Sequence, residues 1–146
     1  LVGKEEPKAR LCNAFVFRFG EGVSVEELIR LDQVITCFHV EYTNHCVLCT
    51  GKVARLFISN DKGRSWQLFK TIQVEHEICV ARVYNTSNTL IGGPNGEMTF
   101  IRDGRVVNTV REHHDRVIGF NCYLSYGLDG RKCVWSTEND ELKLFF

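Results

Sequence analysis

Apolar positions in this chain come in short runs, and Gly, Asn and Asp cut one run from the next. Short runs rich in Val, Ile, Phe, Tyr and Leu read as strands. The clearest stretch is 116–135, RVIGFNCYLSYGLDGRKCVW. It predicts strands over 117–122 and 123–127, an Asp129-Gly130 turn, and a third strand ending at Trp135. A fourth run, 142–146, follows the polar segment 136–141. One segment, 25–31, has helical spacing in Leu28 and Leu31. Val25, Glu27 and Ile29 also alternate there with Glu26, Leu28 and Arg30, and the runs that follow favour a strand.

The runs recur. VITCFHV (34–40), ICVARVY (78–84) and VIGFNCY (117–123) each open a unit with a short strand. Second strands ending near glycine follow: VLCTG (47–51), TLIGG (89–93) and YLSYG (123–127). Third strands are RLFIS (55–59), MTFIR (98–102) and KCVWS (132–136), and fourth strands are SWQLFK (65–70), RVVNTV (105–110) and LKLFF (142–146). The spacing is 43 residues from Ile35 to Ile78 and 39 from Ile78 to Val117. A period near forty with four strands per unit is the mark of propeller blades. The leader fits the same scheme, with a third strand over 15–19, a turn at Gly20-Glu21-Gly22 and a fourth strand over 23–31.

The predicted fold is therefore all-β, a propeller-like array of four-stranded antiparallel blades. Residues 1–33 form a half blade, and 34–70, 78–111 and 113–146 form three full ones. Closed propellers have typically four to eight blades. Three and a half are expected to be an incomplete propeller or part of a larger one, with two apolar sheet faces that another segment or chain covers. The opening LVGKEEP lacks an initiator Met and adds to the expectation of a longer chain.

In the last unit His113 precedes the first strand, Ser125 lies in the second, Asp129-Gly130 forms the turn and Trp135 ends the third strand. With these residues the unit resembles a blade of the WD-repeat β-propeller family. The resemblance implies a buried hydrogen-bonded chain through Asp129, His113, Ser125 and Trp135 that fixes the blade's geometry. The middle unit departs from the pattern, with Asn95-Gly96 in place of Asp-Gly and Ile101 in place of Trp. The first full unit has neither. The resemblance thus spans most of the chain by period and one blade by residue.

A second motif is Ser59-Asn60-Asp61-Lys62-Gly63-Arg64-Ser65-Trp66. It resembles the Asp-box of propellers related to sialidases and sortilin-type receptors, where the box forms the turn between third and fourth strands. It falls at that place in the repeat alignment. Asp61 is expected to accept from turn N–H groups, Gly63 to supply a positive φ, and Trp66 to pack over the hairpin, with Ser59 and Ser65 completing the turn. The role this implies is structural.

Charge removes one class of partner. The chain has 18 basic and 18 acidic residues, so the basic surplus that draws nucleic acid is missing. No apolar run approaches a membrane span, and no secretory leader is visible. The seven cysteines, Cys12, Cys37, Cys46, Cys49, Cys79, Cys122 and Cys133, are odd in number and fall mostly in strand-like runs. They read as buried free thiols of a reducing compartment, which places the protein inside the cell, in cytoplasm or nucleus. The sequon Asn85-Thr86-Ser87 points the other way.

Candidate chemistry is sparse. Cys37, His39, His45, Cys46 and Cys49 lie close together, and Cys46-x-x-Cys49 has zinc-ligand spacing. A small zinc-stabilised β module is one alternative. Cys37 and Cys49 nevertheless align with Val80/Gly119 and Ile91/Ser125, so they also read as packed strand residues. His113-His114-Asp115 offers acid–base groups, but a blade-joining loop accounts for them. A sialidase or glycan-binding propeller is the other alternative; Arg82, Arg116 and Arg131 exist without a motif that groups them. The expected function is a non-enzymatic scaffold that docks other protein subunits in a larger assembly, with no catalytic residues, no metal and no cofactor. Its contact rim is expected to carry Lys52, Asn95, His114, Asp115, Arg116, Tyr126 and Arg131.

Overall fold

The computed structural model describes residues 12–19, 22–85, 87–137 and 141–145. The expected turn residues Gly20 and Glu21, Thr86 of the sequon, and Phe146 lie outside them. The chain divides into two compact units, 1–34 and 35–146. In the first, β1 (Cys12–Phe19) and β2 (Val23–Leu31) form an antiparallel hairpin. The segment with ambiguous periodicity, 25–31, is thus strand.

The second unit is three four-stranded sheets. β3 (Ile35–Glu41), β4 (His45–Thr50), β5 (Val53–Ile58) and β6 (Gln67–Gln73) pair in sequence order. So do β7 (Val80–Val83), β8 (Asn88–Gly92), β9 (Glu97–Arg102) and β10 (Arg105–Arg111). The last sheet is β11 (Val117–Asn121), β12 (Leu124–Gly127), β13 (Lys132–Ser136) and β14 (Lys143–Leu144). All pairs are antiparallel, and no described residue is helical. The first strands lie side by side, β7 between β3 and β11. This is a propeller-like array of blades, and the three described sheets do not close into a ring.

Alternation along each strand decides which side chain faces which neighbour. Ile91 of β8 and Ile101 of β9 pack with Val47, Cys49, Ala54, Leu56 and Ile72 of the first sheet. Their neighbours Leu90 and Phe100, with Met98, turn the other way, onto Val117, Cys133, Trp135 and Leu142 of the third sheet. The middle blade is buried on both faces, so TLIG and MTFI read as nearly unbroken apolar runs. Leu90, Ile91 and Phe100 have no exposed surface; truncating any one to Ala would cost about 2–5 kcal/mol. Backbone bonds repeat the stacking. Ile78 N donates to Gly51 O at 2.8 Å, and Val117 N donates to Gly93 O at 3.1 Å. Each blade's entry is thereby tied to the glycine turn after the second strand of the blade before it.

Several strand boundaries differ from the sequence reading, three of them for a reason the structure shows. β6 begins at Gln67, because residues 59–66 are used in the turn. Tyr123 lies outside β12: Cys122 has φ +50°, and the Tyr123 ring stacks on Tyr84 with centroids 4.6 Å apart. β14 is only two residues long, because both backbone groups of Leu142 bond to the Asn108 side chain instead.

Candidate functional site

The segment between β10 and β11 carries His113 into the interior, where it is 1% exposed. Its Nε2 is 2.7 Å from Ser125 Oγ on β12, and Trp135 Nε1 on β13 donates to the same oxygen at 2.7 Å. The Asp129 carboxylate can only accept, so Nδ1 carries a proton toward it, and in the neutral ring Nε2 is left to accept from the Ser125 hydroxyl. Nδ1 faces Asp129 Oδ1 at 3.4 Å. Asp129 in turn accepts from His114 N at 2.7 Å and Arg131 N at 2.9 Å. Those backbone donors, that of His114 foremost, lower its pKa to about 2. A Cβ on Gly127 would collide with His113 Nδ1 and Asp129 Oδ1, so only glycine leaves room for the ring. The four residues are therefore one connected chain. Buried, with both ring nitrogens engaged, His113 presents no base to solvent.

The turn between β5 and β6 closes on Asp61. Ser59 Oγ donates to Asp61 Oδ1 at 2.8 Å, Ser65 N donates to the same oxygen at 2.8 Å, and Ser65 Oγ donates to Oδ2 at 2.5 Å. These bonds, the Ser65 hydroxyl first, lower the Asp61 pKa to about 2. Gly63 has φ +81°, and its N donates back to Ser59 Oγ at 2.8 Å. The turn rests on the β3–β4 turn through Ser59 N to Asn44 O, 2.9 Å. Trp66 is half-buried beside Gly63.

Six of the seven rim residues lie in turns at one end of the sheets. Lys52 is in the β4–β5 turn, Asn95 in β8–β9, His114, Asp115 and Arg116 in β10–β11, and Arg131 in β12–β13, all exposed. Antiparallel meanders put second-to-third and fourth-to-first connections at the same end. Arg131 Nη1 bonds Glu112 O at 2.6 Å and lies 3.0 Å from His114 Nε2. Arg111 Nε bonds Asn95 O at 2.7 Å. Tyr126 is not a turn residue. It is half-buried on β12, with the Lys132 ammonium 5.9 Å above its ring.

The cysteine and histidine cluster is split by the strands. Cys37 and His39 share the face of β3 that packs toward β7. Among the described residues no three His, Cys, Asp or Glu side chains stand together as a metal site. Arg82, Arg116 and Arg131 share no partner in the described residues: Arg82 Nη1 bonds Phe120 O at 3.3 Å, and Arg131 bonds the rim.

Two clusters escape a reading by motif. His76, in the β6–β7 connection, is buried and reaches Thr99 Oγ1 of β9 with Nε2 at 2.7 Å. Thr99 is bonded to Thr109 of β10 at 2.8 Å. The middle blade has its own buried histidine chain, and a Cβ on Gly93 would stand 2.6 Å from its ring. The sequence signal was His76 two residues before Ile78. It was masked because the hydroxyl partner sits on the third strand instead of the second. The other cluster joins all three first strands. Val83 N donates to His39 Nδ1 at 3.3 Å, Glu41 lies 3.6 Å from His39 Nε2, and Arg82 lies 3.8 Å from Glu41. Tyr84 OH donates to Cys122 O. Burial, then the Arg82 charge, holds His39 below the usual imidazole pKa.

No protein-family model matches this chain. Over 122 residues it is 28% identical to the vacuolar protein sorting/targeting protein 10 of Arthroderma benhamiae, a similarity that covers 82% of the chain. The matched region spans 8% of the length of that fungal protein.

Proposed function

We propose that this chain is a run of blades from a larger, non-enzymatic propeller that recognises other proteins within an assembly. The observation that carries the reading is the stack itself: three four-stranded sheets with adjacent first strands, whose outermost faces keep apolar side chains in solvent. Phe38 and Val40 on β3 are 69% and 46% exposed, and Ile118 on β11 is 53% exposed. The middle blade shows what such a face does when a neighbour covers it. Exposed apolar sheet faces of this kind mark a surface that takes a partner. The similar fungal protein is named for vacuolar protein sorting/targeting, and a protein-recognition role here is in keeping with that. The rim of turns with mixed charge supplies a contact surface of the usual polar composition.

The test is sedimentation velocity of the isolated chain, with fluorescence of a dye that binds exposed apolar surface. Concentration-dependent association and dye binding are the outcome expected of uncovered blade faces. A monomer that stays monomeric at high concentration and leaves the dye dark would overturn the reading.

A further inference from the structure

Cys46 and Cys49 stand three residues apart on one strand, on opposite faces. About 10 Å of extended chain separates their Cα atoms, and a bridge needs them within about 7 Å. Cys49 has a nearer partner. In the β3–β4 register Cys37 is directly opposite it. Opposed residues of an antiparallel pair have Cα atoms about 4.5 or 5.5 Å apart, inside the span of about 4.4–6.8 Å that disulfides use. Both side chains pack on the core shared with β7. Cys49 is fully buried and Cys37 half-buried. Other described thiols have no such partner. Cys46 opposes Val40 and Phe57, Cys133 opposes Ser125, and Cys79 donates to Gly92 O and Val117 O.

We propose that Cys37 and Cys49 are a redox-active dithiol, which closes to a cross-strand disulfide on reaction with a low-molecular-weight disulfide such as glutathione disulfide. Cys37 is the attacking sulfur, because solvent reaches it. Interaction with the neighbouring Cys49 thiol holds the Cys37 thiol below its ordinary pKa, while that interaction and burial push Cys49 up. The Cys37 thiolate attacks one sulfur of the oxidant and expels one glutathione thiolate, leaving a mixed disulfide. Cys49 then gives up its proton, its sulfur attacks the Cys37 sulfur, and the second glutathione thiolate leaves. The protein loses two protons and two electrons, and the oxidant becomes two thiols. The new bond ties β3 to β4 along the edge where the first blade meets the second.

The experiment equilibrates the full chain in glutathione buffers from reduced to oxidised, alkylates the remaining thiols, and cleaves after Glu41. That cut separates Cys37 from Cys46 and Cys49. Mass spectrometry is expected to show the loss of two alkylatable thiols and a link between the Cys37 and Cys49 peptides. Cys46→Ser should keep the link. Cys49→Ala should stop at a glutathione adduct on Cys37. Cys37→Ser, the milder change at the half-buried site, should give no link and leave Cys49 unmodified. A link through Cys46 or Cys79 in the unmutated chain would overturn the proposal. So would a stable glutathione adduct on Cys37 with Cys49 still free.

Discussion

Ser125 Oγ accepts from Trp135 and donates to His113, both over 2.7 Å and out of contact with water. Ser125→Ala strands two polar groups at once, at about 1–3 kcal/mol for each orphaned group. Adding His113→Leu removes one orphan. The double variant should therefore lose less than the sum of the singles, with a coupling of about 1 kcal/mol or more in a urea-unfolding cycle. The two turn aspartates give a pH signature. Hydrogen bonds hold Asp61 and Asp129 at about 2, below their ordinary 3.8. A depressed carboxyl pKa stabilises the fold above its unfolded value, and that contribution disappears as pH falls through the folded value. Stability should decline between about pH 4 and pH 2, and Asp61→Asn should flatten that decline while lowering the urea midpoint at neutral pH. These residues were legible because their partners are near in sequence or held by a tight turn. His76, Thr99 and Thr109 were not, since their meeting depends on how three strands and a connection pack.

At the scale of elements, blade edges are held by side chains as well as ladders. β14 has two residues, and Leu142 just before it is held by Asn108 of β10: Nδ2 donates to Leu142 O at 3.0 Å and Oδ1 accepts from Leu142 N at 2.9 Å. Asn108→Ala should cost about 1–2 kcal/mol for the two bonds. Amide hydrogen exchange should speed up at Leu142 and across β14, with β8 and β9 unaffected. The same residue explains why LKLFF, which reads as a full fourth strand, forms only a short one. Its apolar run is long enough, but Leu142 turns into the core beside Trp135, and that choice belongs to the neighbouring blade. Bulges at Ile35/Cys37, Val106/Asn108 and Val117/Gly119 shift register, and no periodicity announces them.

Across the whole second unit, the middle blade shows the pattern the outer two leave open. Its faces are covered on both sides, while β3 and β11 expose Phe38 and Ile118. Ile118→Glu places a charge on the outward face of the third blade and leaves Val117, which packs on the middle blade, untouched. It should reduce self-association in sedimentation by several-fold with less than about 0.5 kcal/mol change in stability. If association persists unchanged, the outward face of that blade is not its seat.

The chain's own order of residues determined the strands, their fours, the period near forty and the two aspartate turns, because each depends on alternation or on contacts a few residues long. Tertiary structure alone decided the long-range partners: Asn108 with Leu142 and Val83 with His39 between blades, His76 with Thr99 and Cys37 opposite Cys49 within one. Those pairings rest on register and on the stacking of separate sheets, and a one-residue slip in either would have joined different side chains.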